Sequence, residues 1–181
     1  SLLDSSHHYE IAVNDFGDHG IEIPGSIKVN LKKMISRKKA VVDQTISGID
    51  FLMKKNNISV YNGLGSFIDS THINIDGEKK IIIEAKNTII ATGSKPSSLP
   101  FISLDKERII TSTEALELKE IPKHLIIIGG GVIGLELGQV YKRLGAEVSV
   151  IEYADRITSL MDSSLSRELM KVLKKQKINF Y

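Results

Sequence analysis

Four glycines in the stretch Gly129-Gly130-Gly131-Val132-Ile133-Gly134 carry the clearest chemical signal in this chain. Gly129, Gly131 and Gly134 fit the pattern G-x-G-x-x-G, with Gly130, Val132 and Ile133 at the intervening positions. That spacing serves the binding of a dinucleotide pyrophosphate. The first glycine permits a sharp turn out of a strand, the second has no β-carbon to hold phosphates away from the backbone, and the third lets a helix lie close to the strand. A helix starting there aims unpaired N–H groups and the positive end of its dipole at the phosphates. Glu152 follows at about the 20-residue spacing at which a carboxylate accepts hydrogen bonds from a ribose 2′-OH. A 2′-phosphate would meet like charge there, so the expected cofactor is NAD and not NADP; Arg156, nearby in sequence, softens that preference without reversing it. Glu136 is the odd polar residue in the early turns of an apolar helix. It serves either as a helix-dipole partner, worth ~0.3–1 kcal/mol, or as a contact to cofactor or to a cation.

The elements that must position these residues are legible on both sides. Leu125–Ile128 reads as a buried strand running straight into the glycines, Val132 to Leu144 as an apolar helix ending at Gly145, and Val148–Ile151 as a second buried strand. An amphipathic helix over about Ser163 to Gln176 is expected to turn Leu165, Leu169, Val172 and Leu173 inward, and Ile178–Tyr181 opens a third strand. Upstream, apolar residues recur at helical spacing from Asn30, a plausible N-cap, to a stop at Asn56-Asn57. Then Ile58–Tyr61, Gly65–Ile68, His72–Ile75 and Ile81–Glu84 read as short strands, with Asp76-Gly77 as a hairpin turn. Thr88–Ala91 reads as an apolar strand ending in Thr92-Gly93-Ser94, and Ser94 to Pro100 as a loop. Arg108–Thr111 is a further short-strand candidate, with Ser112 or Thr113 capping a short helix through Leu118.

Composition narrows the function. Twenty-four basic and 22 acidic side chains leave a net charge of only +2, which gives no basic field for nucleic acid or an anionic membrane surface. No apolar run approaches the roughly 18 residues of a membrane span, and Ser1 to Glu10 lack the pattern of a signal peptide. A soluble protein is expected. Cysteine is absent, which excludes disulfides, thiolate metal sites and thiol catalysis within these residues. The five histidines show no metal-ligand spacing.

Taken in order, several segments resemble the pyridine nucleotide–disulfide oxidoreductases, most closely their dihydrolipoamide-oxidising branch. They are Leu2-Leu3-Asp4-Ser5-Ser6-His7-His8-Tyr9, His19-Gly20-Ile21, Gly63-Leu64-Gly65-Ser66-Phe67, Ile90-Ala91-Thr92-Gly93-Ser94-Lys95-Pro96, Thr111 to Leu116, and Gly129 through Gly138. The resemblance implies an α/β fold made of parts of two Rossmann-like domains plus a small antiparallel β-meander. Residues 1–114 would be the later part of an FAD-binding domain and residues 115–181 the opening of an NAD-binding domain. It further implies that Gly65 lies against the adenine end of FAD, that Thr92, Gly93 and Ser94 touch FAD, and that Glu136 stands where flavin meets nicotinamide. Residues around His7-His8 fit a helix of that family, which favours native sequence over a tag. The implied reaction oxidises dihydrolipoamide on a lipoyl carrier domain of a 2-oxoacid dehydrogenase complex, through a redox disulfide and FAD, to NAD. The implied parent is a homodimer, expected in the cytoplasm or alternatively in the mitochondrial matrix.

The same resemblance marks what these residues lack: the FAD glycine fingerprint, the CxxxxC dithiol, the His–Glu acid–base pair and the dimerisation domain. The expectation is an internal fragment that is inactive by itself and exposes apolar strand surface. Another NAD(P)-linked flavin disulfide reductase, or a non-catalytic NAD-binding module, are the alternatives.

Overall fold

A computed structural model of the chain describes every residue except Ser98. The part of the expected 94–100 loop that falls on Ser98 therefore lies outside the described residues. In chain order the elements are α1 (Leu2–Asn14), α2 (Leu31–Lys55), β1 (Leu64–Phe67), β2 (His72–Asp76), β3 (Lys80–Glu84), α3 (Ser112–Ala115), β4 (His124–Ile128), α4 (Val132–Arg143), β5 (Glu147–Ile151), α5 (Ser163–Lys175) and β6 (Asn179–Phe180). They fall into two compact units, one of residues 1–41 with 99–181 and one of residues 42–97.

The first unit is built on a parallel sheet in the order β4-β5-β6. This is the arrangement of the first half of a dinucleotide-binding fold, in which successive strands add outward from the first. Val148 and Val150 on β5 are fully buried because helices cover the strand between its two neighbours. Around them pack Leu135 and Tyr141 of α4, Leu173 of α5, and Ala146, Ile157 and Ile178 of the connections. A second cluster joins Leu2 of α1, Leu31 of α2, Val140 of α4 and Leu144 at the C-cap of α4. α4 thus presents one face to the sheet and another to α1, which explains why so much of it is apolar.

Caps set the helix boundaries. Asn30 Oδ1 accepts the Lys33 N–H at 2.9 Å, fixing the start of α2 where the sequence places it. The helix stops at Lys55, with Asn57 in the left-handed region at φ +54. α3 is capped by Thr111 and not by Ser112 or Thr113: Thr111 Oγ1 accepts the Thr113 N–H at 3.2 Å while Glu114 Oε2 takes the Thr111 N–H at 2.8 Å, a reciprocal box. The helix ends at Ala115, short of Leu118. On α5 the buried residues are Ser166 and Leu173, with Leu169 and Met170 packed on the core, while Leu165 and Val172 point outward. Two of the four residues expected inward, Leu169 and Leu173, therefore face the core, and the same face includes Ser166, which makes a buried hydrogen bond to Thr158.

The second unit holds the antiparallel meander β1-β2-β3, with Gly65 opposite Ile75 and Asp76 opposite Lys80 across the hairpin that begins at Asp76-Gly77. Three expected strands do not form: residues 58–61, 88–91 and 108–111 have no ladder partner among the described residues. A strand is defined by a neighbour that takes its backbone bonds, and Ile89 and Ile90 lie 91% and 71% exposed without one.

Candidate functional site

The glycine turn follows directly from β4. Gly129 has φ +102, a backbone that side chains rarely adopt, and its N–H donates to Ile151 O at 2.8 Å, tying the turn to the end of β5. At Gly131 a β-carbon would meet nothing within 4 Å, so the backbone there opens onto free space. Gly131 is also the N-cap of α4 and offers no capping side chain. The first amides of a helix have no intrahelical acceptor, so they remain for a ligand at that opening. Val132 and Ile133, in the first turn, are exposed. A β-carbon at Gly134 would sit 2.8 Å from Ile127 Cγ2 and 3.2 Å from Gly129 O, so the closeness of α4 to β4 depends on glycine.

Glu152, at the end of β5, is in direct contact with this turn. Its Oε2 accepts the Gly130 N–H at 2.5 Å and its Oε1 accepts the Ala154 N–H at 2.8 Å. These two N–H donors, Ala154 first, hold the Glu152 carboxyl below the ordinary glutamate range and keep it ionised. Each oxygen uses one acceptor position and keeps another, which suits a pair of ribose hydroxyls. Arg156 Nη2 donates to Ser159 O at 2.8 Å, engaged within its own loop. An open backbone at a helix start beside an ionised, half-satisfied carboxylate fits a dinucleotide with an unphosphorylated ribose.

Other candidate residues fall elsewhere. Glu136 lies in the second turn of α4, exposed, with no ion pair among the described residues. Gly65 lies in β1, and Thr92, Gly93 and Ser94 form an exposed stretch outside any helix or strand, with Gly93 at φ +74; all four belong to the second unit. The structure brings together the glycine turn and Glu152, and places the rest on separate elements. No helix among the described residues is long and apolar enough to cross a membrane, and no group of three or more potential metal ligands occurs among them.

The glycine stretch includes Gly130 as a cofactor-binding candidate without giving its steric requirement, and the sequence gives no signal for the loop residues Ile157 and Thr158. A β-carbon at Gly130 would stand 2.8 Å from Ile157 Cγ2 and 3.0 Å from Glu152 Oε2, and Thr158 N–H donates to Gly130 O at 2.9 Å. The signal available for that requirement was the middle glycine of the three, a position the pattern itself leaves free.

Comparisons with known proteins identify the family. The family described as pyridine nucleotide-disulphide oxidoreductase matches residues 1–181. A mitochondrial dihydrolipoyl dehydrogenase of Schizosaccharomyces pombe is 42% identical over 99% of this chain, which covers 36% of that relative. Dihydrolipoamide dehydrogenase of Chaetomium thermophilum is 43% identical, with 99% of this chain matched to 36% of it. The chain thus spans about a third of the length of these curated relatives. Among solved structures, LpdA of Mycobacterium tuberculosis superposes with a TM-score of 0.86 at 24% identity, over 99% of this chain and 40% of that one, a likeness of fold. The chain belongs to the pyridine nucleotide-disulphide oxidoreductase family.

Proposed function

We propose that these residues are the NAD-facing and part of the FAD-facing portion of a dihydrolipoyl dehydrogenase, a flavoenzyme passing electrons from dihydrolipoamide through a disulfide and FAD to NAD. The observation that carries this reading is identity of about 40% to dihydrolipoyl dehydrogenases along nearly the whole chain. In it residues 1–114 belong to an FAD-binding domain and 115–181 to an NAD-binding domain. Gly129 to Gly134 receive the NAD pyrophosphate at the start of α4, and Glu152 receives the adenosine ribose. Gly65, Thr92, Gly93 and Ser94 contribute to the FAD side, where the positive φ of Gly93 supplies a backbone bend that side chains resist. Glu136, exposed on α4 and unpaired among the described residues, stands available to a cation at the junction of flavin and nicotinamide.

What this chain does in the reaction is bind and orient. The flavin, when bound, relays the electron pair between thiols and nicotinamide. The chain has no cysteine, so the exchanging dithiol is supplied by residues outside these 181. The partner is a lipoyl carrier domain of a 2-oxoacid dehydrogenase complex, and the working enzyme is a homodimer. The mitochondrial designation of several relatives supports the matrix as its location over the cytoplasm.

The test is turnover by the full-length polypeptide. Reduction of NAD by dihydrolipoamide, with no comparable reduction of NADP and none from reduced glutathione, is the expected result. Preference for glutathione, or for NADP, would assign it to another branch of flavin disulfide reductases.

A further inference from the structure

The turn Gly129-Gly130-Gly131 has no side chains with which to hold its own shape, and glycine loses more backbone freedom on ordering than any other residue. Its conformation must therefore be imposed from outside. Gly129 N–H is taken by Ile151 O, Gly130 N–H by the Glu152 carboxylate, and Gly130 O by the Thr158 N–H at 2.9 Å. The middle glycine is buried and has both backbone groups satisfied by the loop that follows β5.

Thr158 is itself in an uncommon state. It is 6% exposed and has φ +47, unfavourable for a β-branched residue, so something must hold it there. That partner is Ser166 in the first turn of α5, 2% exposed, whose Oγ lies 2.9 Å from Thr158 Oγ1, 3.3 Å from Thr158 O and 3.2 Å from Asp162 O. The buried Thr158 hydroxyl depends on Ser166 for this bond, whereas the Ser166 hydroxyl also reaches the carbonyls of Thr158 and Asp162.

We infer that Ser166 and Thr158 are positioning residues for cofactor selection: through Thr158 N–H and Gly130 they fix where the Glu152 carboxylate stands, and so set the preference for an unphosphorylated ribose. The inference rests on the reading of Glu152 as the ribose acceptor. It extends the site from the glycine turn to the start of α5. Ile157 completes the clamp, since its Cγ2 leaves no room for a β-carbon at Gly130.

The experiment measures dissociation constants for NADH and NADPH on the purified full-length protein. Ser166→Ala, which strands the Thr158 hydroxyl, is expected to weaken NADH about fivefold while leaving NADPH unchanged, the loss of one buried hydrogen bond. Thr158→Val removes the same bond without changing shape, and reads the same effect if Ser166→Ala does not fold; Thr158→Ser restores the wild-type ratio. Ser149→Ala is the control, since Ser149 is also buried and bonded through its hydroxyl, to His124 at 3.0 Å, but lies off this path. An unchanged NADH-to-NADPH ratio in Ser166→Ala and Thr158→Val, or an equal fall in Ser149→Ala, overturns the inference. Glu152→Ala separates the two levels. If it abolishes the preference while Ser166→Ala does not, only the relay fails; if it leaves the preference intact, the underlying site assignment fails.

Discussion

At the residue scale, the proposed site consists of glycines and one acid, and their replacement has definite consequences. Alanine at Gly134 would place a methyl group 2.8 Å from Ile127 Cγ2 in the contact between α4 and β4. The expected cost is about 1–3 kcal/mol of stability from overpacking, read as a lower midpoint in chemical denaturation of the full-length protein. Glu152 gives a prediction in pH. Its pKa is depressed in the folded state, so the stabilisation from its bonds to Ala154 and Gly130 is fully present above the unfolded glutamate value and is lost as pH falls through the folded one. NADH affinity is accordingly expected to be flat through neutral and mildly acidic pH and to fall only in stronger acid; a decline centred near neutrality would contradict it. The turn at Gly129 and the close packing at Gly134 are readable in the sequence because each follows from a pattern with a physical reason. Gly130 is a candidate in the same stretch, but its steric requirement is not readable, because it comes from Ile157 and Glu152, residues whose approach only the folded loop defines.

At the element scale, α4 is held on three sides, by the sheet, by α1 and by α3. The packing against α3 includes a buried hydrogen bond, Tyr141 Oη donating to Ala115 O at 2.5 Å, and burial pushes the Tyr141 pKa up to about 12. Tyr141→Phe leaves that carbonyl unpaired and is expected to cost about 1–2 kcal/mol. Because the folded pKa is raised, this part of the stability is present below the unfolded tyrosine value near 10 and is lost as pH rises toward 12. Urea titrations at rising pH should show that alkaline loss in the wild type and a shallower one in Tyr141→Phe; equal slopes would sink the assignment. Helices and strands with their own caps and ladders were legible from periodicity, as at Asn30 and the Asp76-Gly77 hairpin. Those that failed, residues 88–91 above all, carry strand-like side chains with no neighbouring strand among the described residues to receive them. On α5 the expected Leu169 and Leu173 face the core while Leu165 and Val172 do not; the place of Ser166 on that face was not legible because hydrophobicity alone gives a serine no weight.

At the scale of the whole molecule, much large apolar surface faces solvent. Ile126 and Ile128 of β4 are more than half exposed, Leu64 of β1 is 76% exposed, and Leu160 is fully exposed. Exposure on this scale marks surfaces that associate. Expressed alone, the 181 residues are expected to sediment as oligomers and to bind a hydrophobic dye, whereas a dilute monomer with a sharp thermal transition would contradict this. The family and the parallel half-sheet fit one picture, in which a bare backbone turn and one acid at the next strand end select a dinucleotide. The most direct test is a calorimetric titration of the full-length protein and its Glu152→Ala variant with NADH and with NADPH. The wild type should bind NADH at least about tenfold more tightly, as one or two charge-assisted hydrogen bonds allow, and Glu152→Ala should remove that margin. Equal affinities in the wild type, or an unchanged margin in the variant, would contradict the account.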